Sequence, residues 1–252
     1  MSDDATRYMA LLHELFDALP RQAPGSTAET LAALAAVPGL PAAPRIVDFG
    51  CGRGASALPL AEVTGGLVVG CDRHRPALAL LRAAAIASGL GDRIDVVCAD
   101  MAQPPFAPGT FDLIWSEGAV YAVGFAEGLA AWRPLLRPGG ALVVSELVWL
   151  TDRPDAATRA FFSTEYPDMA DLDTRRGQLV AAGYRLLADF LLSATGWQDY
   201  YAGLEPRLSP LVRDHPDDPV AARLAADITA EINHYRRAGD QYGYAMFIAE
   251  AG

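Results

Sequence analysis

The chain contains no lysine, and all 20 of its basic residues are arginine. That absence excludes Schiff-base catalysis and a lysine-anchored pyridoxal cofactor. Positive charge is scarce altogether, 20 basic against 31 acidic residues, which leaves a net charge of −11. Without a basic stripe, a nucleic-acid backbone is a poor main partner. No apolar run approaches the ~18 residues of a membrane span. The opening MSDDATRYMALLHELF lacks the charged-then-apolar pattern of a secretory signal. The expectation is a cytoplasmic chain with no membrane partner. Cysteine is limited to Cys51, Cys71 and Cys98, an odd number near expected strand ends, which predicts no disulfides and suits a reducing compartment. A soft-metal triad is the rival reading, but buried cysteine is common in strands, and Cys71 alternates away from Asp72. His13, His74, His215 and His234 show no metal-ligand spacing, so no metal is expected.

What remains is abundant apolar surface: 52% of the 252 residues are hydrophobic, enough for one sizeable domain with a dry core. Short β-branched runs at 45–50, 66–72, 93–100, 111–116 and 140–147 read as strands, with helical segments at 55–63, 76–88 and 126–136. Further strands are expected at 184–193 and 241–249. Alternating strands and helices predict an α/β fold, a seven-stranded, mostly parallel sheet covered by helices on both faces. Residues 3–36 read as two helices around the loop PRQAPGS, the second opening at Ser26 or Thr27 with Glu29 as a capping-box partner. Residues 197–238 hold two further helical stretches. The expected organisation is a single domain over 1–252, with a helical cap at 1–36, a core at 45–193, a lid at 197–238 and a last strand at 241–249. Inserted helices of this kind fall over the carboxyl ends of the strands, where ligands of open α/β sheets bind.

VDFGCGRGASALPLA (47–61) places Gly50-x-Gly52-x-Gly54 between the first strand and a helix start. Glycines allow close backbone approach, and a new helix offers free N–H groups to an anionic group. The spacing departs from the dinucleotide pattern G-x-G-x-x-G, which disfavours an NAD-dependent oxidoreductase. The acids at successive strand ends discriminate further. Asp72 closes the second strand, where a carboxylate accepts from ribose hydroxyls. Asp100 closes the third, followed by Met101, a pair suited to an adenine amine and ring. Together they describe an adenosine site.

With VDFGCGRG, VVGCD, VCADM, FDLIWSEGAVYAVGF and LRPGGALVVSE in this order, the sequence resembles the class I S-adenosylmethionine-dependent methyltransferases. PRQAPGS, SEGAVYAVGF and QYGYAMFIAE further resemble a bacterial subgroup acting on small molecules. The resemblance implies a Rossmann-like fold, S-adenosyl-L-methionine as cofactor and a small-molecule substrate. It also implies that Gly50, Cys51 and Gly52 lend backbone to the methionine portion and that Asp48 reaches its ammonium. Asp72, with Arg73 beside it, would hold the ribose, Asp100 and Met101 would flank adenine, and Ser116 and Glu117 would approach the sulfonium. Ser116-Glu117-Gly118-Ala119 departs from the Asp/Asn-Pro-Pro-Tyr motif of many amino-DNA and glutamine methyltransferases, which disfavours those substrates.

Arg21 and Gln22, on a loop over a rigid scaffold, join the cofactor candidates. Glu117 and Glu146 are candidate general bases if burial raises their pKa, and Tyr121 completes the catalytic set. Trp197, Tyr200 and Tyr201 serve either as packing or as a substrate wall. Two alternatives stay open. The fold also supports a non-catalytic sensor or partner subunit, and the helical additions either close the pocket within one chain or meet a second chain in a homodimer.

Overall fold

The computed structural model describes residues 3–252. Five parallel strands form one half of its sheet: β1 (Arg45–Phe49), β2 (Leu67–Asp72), β3 (Ile94–Cys98), β4 (Phe111–Ser116) and β5 (Leu136–Trp149). β6 (Ala170–Asp171), β7 (Tyr184–Leu191) and β8 (Tyr242–Ala251) complete it. The order is β3-β2-β1-β4-β5-β8-β7, with β6 off this path beside β5 and β8 antiparallel to both of its neighbours. The sheet therefore has eight strands where the sequence pattern predicts seven. β6 is two residues long, too short for any alternation to show. β5 also begins four residues before its predicted start and runs past its predicted end, so its tail projects beyond the carboxyl edge.

Alternation along each strand divides the core between the two faces. Ile46, Leu113, Trp115 and Val143 pack with residues of α2 (Thr27–Ala35), α3 (Ala57–Thr64) and α4 (Arg75–Ala87). Val47, Phe49, Ile114 and Val144 pack with residues of α5 (Phe125–Trp132) and α7 (Leu172–Ala181). Near-continuous apolar runs in the central strands follow from burial on both sides.

A third core lies apart from the sheet faces. α1 (Asp3–Asp17), α6 (Ala156–Glu165), α8 (Ala194–Asp214) and α9 (Pro219–Ala238) bring together Leu11, Leu15, Phe162, Trp197, Leu204, Leu224 and Ile228. Leu147 and Trp149, on the projecting tail of β5, pack against this cluster and place it over the carboxyl edge. Each fully buried leucine contributes roughly 2 kcal/mol of transfer free energy, so the lid is held by a core of its own. α6 and α7 occupy 156–181, a stretch for which the sequence pattern yields no element. Their apolar residues are too few and too scattered among charges to reveal the stripe. Among the described residues, no helix is long and apolar enough to cross a membrane.

Candidate functional site

The turn after β1 is where backbone geometry first becomes specific. Gly50 and Gly52 adopt φ of +70° and +50°, a region costly to residues with a Cβ. A Cβ on Gly50 would stand 2.2 Å from Cβ of Ala119, and one on Gly52 would stand 1.9 Å from Gln22 Oε1. The turn is thus roofed by the segment after β4 and by the loop at 20–26. Met101 Sδ lies 3.9 Å from that position on Gly50, so β3's end converges on the same turn. Cys51 is buried, its thiol donating to the Gly52 carbonyl at 3.6 Å.

Two acids frame the turn. Asp48 is 2% exposed, and its Oδ2 has no hydrogen-bond partner among the described residues. Burial, with the Glu117 charge adding to it and Arg21 opposing, holds its carboxyl well above the usual range. Asp72 accepts from the Gly52 N–H at 2.9 Å and from the His74 N–H at 2.8 Å, tying the glycine turn to the end of β2. The α4 N-cap is His74 rather than Asp72. Asp100 is exposed, accepts from the Ala102 N–H at 2.9 Å and lies 3.6 Å from Arg73 Nη1. Trp132 donates to the Met101 carbonyl at 2.8 Å and fixes that residue's backbone. His74 is stacked on His13 at 3.9 Å and meets Asp17 Oδ2 at 2.8 Å, which fastens α1 beside the end of β2.

The loop at 20–26 is anchored by one ionic knot. Arg21 Nη1 donates to Glu117 Oε2 at 2.6 Å, while Thr30 and the Trp115 indole both donate to Glu117 Oε1 at 2.8 Å. Arg21 also donates to Thr30 and to the Ala55 carbonyl. Gln22 Oε1 accepts from the Arg53 N–H at 3.2 Å, directly over Gly52. Glu29 does not reach back to its cap residue's N–H as a capping box requires. Ser26 Oγ caps the Glu29 N–H and donates to Glu29 Oε2, and Glu29 Oε1 accepts from the Ser193 N–H at 2.6 Å, just before α8.

Beyond this turn lies a cavity of about 700 Å³ between the sheet edge and the lid. Gln22, Ala23, Gly118 and Tyr121 line the end nearest the glycine turn. Tyr8, Phe161, Trp197, Tyr200 and Tyr201 supply aromatic wall, and Glu165, Asp227 and Glu231 supply carboxylates. Trp197 and Tyr201 belong to the buried lid cluster as well, so packing and wall are one role here.

Several sequence-based assignments change in this geometry. Glu117 has three donors on its two oxygens, including a guanidinium, and so positions the loop rather than standing free as a base. Arg21 is committed to Glu117, Thr30 and the Ala55 carbonyl. Ser116 is fully buried and donates to the Phe49 carbonyl at 2.9 Å, cross-linking β4 to β1 instead of facing the sulfonium position. Glu146 is 1% exposed beside Arg175 Nη2 at 3.5 Å and is absent from the cavity wall. Burial raises its carboxyl to about 7, with Arg175 pulling the other way. Tyr166, whose hydroxyl accepts from Arg175 at 3.0 Å, lines the cavity in its place, and Tyr121 meets Tyr166 edge-on at 6.3 Å. Cys51 and Cys71 belong to the cores on opposite faces of the sheet and Cys98 is exposed, so the three thiols do not converge. Among residues not singled out in the sequence, Glu231 had a readable signal: it follows Ile228 by three and Leu224 by seven, an acid on the apolar stripe of α9.

The strand order and the glycine turn define a Rossmann-like α/β protein, a fold in which ligands bind outside the carboxyl ends of the strands. Residues 46–140 match the methyltransferase domain family. The methyltransferase GfsG of Streptomyces halstedii is 33% identical over 115 residues, 45% of this chain and 41% of that protein. The nocamycin O-methyltransferase of Saccharothrix syringae is 37% identical over 100 residues, 38% of this chain and 35% of that one. This chain spans about two fifths of the length of the curated relatives it matches. A SAM-dependent methyltransferase from Geobacter sulfurreducens, crystallised with S-adenosyl-L-homocysteine, shares the fold with a TM-score of 0.82 at 22% identity, over 98% of both chains.

Proposed function

We propose that the protein transfers the methyl group of S-adenosyl-L-methionine to a small-molecule metabolite held in the lid cavity. The observation that carries this reading is Asp48 Oδ2, a buried oxygen without a partner beneath the glycine turn. An unpaired buried carboxylate oxygen is costly, and the ammonium of the cofactor's methionine portion is a donor of the right charge. The cofactor supplies a sulfonium methyl that an acceptor's lone pair can take, the S–CH3 electron pair remaining on sulfur.

The chain's own work is to bind, orient and exclude water. Gly50, Cys51 and Gly52 present backbone to the methionine portion, Asp72 accepts from ribose hydroxyls with Arg73 beside it, and Asp100 and Met101 bracket adenine. Gln22 lies over the same turn and closes it from the loop side. Arg21 and Glu117 hold that loop in place without touching the ligand. Tyr121, at the junction of turn and cavity, is the group best placed to meet the acceptor. Glu146 acts at a distance, through the Arg175 and Tyr166 pair. The lid and the loop bury the transfer site, so the acceptor competes with little water and is limited to metabolite size.

The cap at 1–36, the core at 45–193 and the lid at 197–238 work as parts of one domain in this reading. The cytoplasm is the proposed compartment, in keeping with three unpaired cysteines, and a homodimer is compatible with a site closed from within one chain. Calorimetric titration with S-adenosylmethionine, S-adenosylhomocysteine and NAD tests the cofactor, with binding of the first two and none of the third expected. Labelled methyl transfer into a cell extract then tests the activity. Tight NAD binding, or no labelled small molecule, would overturn the proposal.

A further inference from the structure

We infer that the cavity's substrate is a cation, a largely apolar small molecule carrying a protonated or quaternary nitrogen that sits on Glu231 against the aromatic wall. This names the substrate class of the site proposed above and rests on that reading.

Charge sorting around the cavity is one-sided. Glu165, Asp227 and Glu231 all line it, and no arginine or histidine does, in a chain with 20 arginines. None of the three acids takes part in an ion pair among the described residues. Elsewhere in the protein carboxylates are regularly neutralised, as Glu117 is by Arg21, Asp189 by Arg176 and Glu205 by Arg236. Asp227 accepts only a neutral hydroxyl, from Tyr8 at 3.1 Å, and Glu231 likewise accepts from Tyr201 at 3.0 Å.

Glu231 is the acid most withdrawn from solvent, since Glu165 and Asp227 are exposed while it is half-buried. Burial, with the Glu165 charge adding to it, raises its carboxyl. A cation in the cavity would offset that cost, whereas an anion would add to it. Tyr200, Tyr201, Trp197 and Tyr121 line the same space, and electron-rich ring faces attract ammonium groups directly. A volume of about 700 Å³ exceeds what an ammonium alone fills and leaves room for an apolar body between Leu12, Phe16 and Leu204.

The test uses three probes of similar size: phenethyltrimethylammonium, the neutral 2-methyl-4-phenylbutan-2-ol and the anionic 3-phenylpropanoate. Each is titrated calorimetrically into the whole protein, with and without S-adenosylhomocysteine. The cation is expected to bind roughly tenfold or more tightly than the alcohol, with the anion weakest. Glu231→Gln keeps the shape and a partner for Tyr201. It should bring the cation to within about threefold of the alcohol while leaving affinity for the alcohol and for S-adenosylhomocysteine unchanged. Equal binding of cation and alcohol by the unsubstituted protein, preference for the anion, failure of all three probes to bind, or a cation preference that survives in Glu231→Gln would each overturn the inference. Because the unsubstituted comparison needs no variant, a misfolded substitution cannot rescue it. A protein that binds the cation selectively but not S-adenosylhomocysteine would sink the methyl-transfer reading and leave the cation site standing.

Discussion

The glycine turn and the helices over the carboxyl edge meet at Gly118, yet they are built by different physics. The turn works with backbone: positive φ at Gly50 and Gly52, N–H groups fixed by Asp72, and one unpaired carboxylate oxygen on Asp48. The lid works with side chains brought from four helices, with Leu11 and Leu224 more than two hundred residues apart in sequence, and its cohesion is apolar packing around Leu11, Trp197 and Leu224. A backbone site is rigid and tolerates little variation, so it suits an invariant cofactor. A side-chain cavity with its own core is free to change lining without disturbing the sheet, which suits a particular substrate.

The largest expected effect tests whether the two regions separate energetically. Leu11 is fully buried in the lid core. Leu11→Ala should cost 2–5 kcal/mol of stability, roughly the range for a leucine cavity in a packed core. Affinity for S-adenosylhomocysteine at a temperature where the variant is folded should stay within about threefold of the parent, since a lid core residue touches none of the cofactor candidates. Thermal melts and calorimetry measure both. An affinity loss that tracks the stability loss would mean that turn and lid are one cooperative unit.

That contrast also governs what could be read in the sequence. The turn, Asp48, Asp72, Asp100 and Met101 lie within local signals, a strand followed by glycines or closed by an acid, and the structure places them around one corner. The positions of the main strands along the chain follow from the alternation of short apolar runs. The fates of Glu117 and Glu146 were invisible, because they depend on Arg21 and Arg175, which lie 96 and 29 positions away. Spacing carries no record of which guanidinium a carboxylate will meet. The aromatic wall was half legible: Trp197, Tyr200 and Tyr201 fall within one helical turn or so, but Tyr8, Phe161 and Tyr166 join them only through tertiary packing.

Glu146 sits where the two regions join, on β5 just before its tail enters the lid core, and its titration is the next largest effect. Its carboxyl rises from an ordinary 4.5 to about 7 on folding. The folded state therefore holds this proton more tightly than the unfolded state. The stabilisation is complete below about pH 4.5 and is lost as pH rises through 7, by about 3 kcal/mol at most. Glu146→Gln, an isostere of the protonated form, removes this titration together with the charge that faces Arg175. Denaturant melts at pH 5 and pH 8 should show the variant gaining stability relative to the parent as pH rises. A parallel response of both proteins would show that Arg175 keeps Glu146 ionised throughout.

On the turn side, Asp72→Ala should weaken S-adenosylmethionine binding about tenfold to a hundredfold, as expected for losing a charged acceptor worth roughly 1.5–3 kcal/mol. Part of that loss comes through the turn, since Asp72 also fixes the Gly52 and His74 N–H groups. Asp72→Asn, which keeps one acceptor oxygen, should recover some of it. Unchanged affinity in Asp72→Ala would remove Asp72 from the cofactor site.

The smallest effect is expected at the seam. Ser26 caps α2, its Oγ accepting from the Glu29 N–H at 3.2 Å and donating to Glu29 Oε2 at 2.7 Å. Ser26→Ala should cost about 1 kcal/mol, the usual value of an N-cap. The same hydroxyl orients Glu29, whose other oxygen holds the Ser193 N–H, and Ser193 in turn caps α8 through the Gly196 N–H. Losing the hydroxyl should therefore loosen the entry to α8 as well as the start of α2. Amide exchange at the beginning of α8 should quicken while exchange in β1 and β2 stays as it was, because nothing in those strands bonds to this chain of caps. Faster exchange confined to α2 would show that Glu29 holds the entry to α8 without help from Ser26.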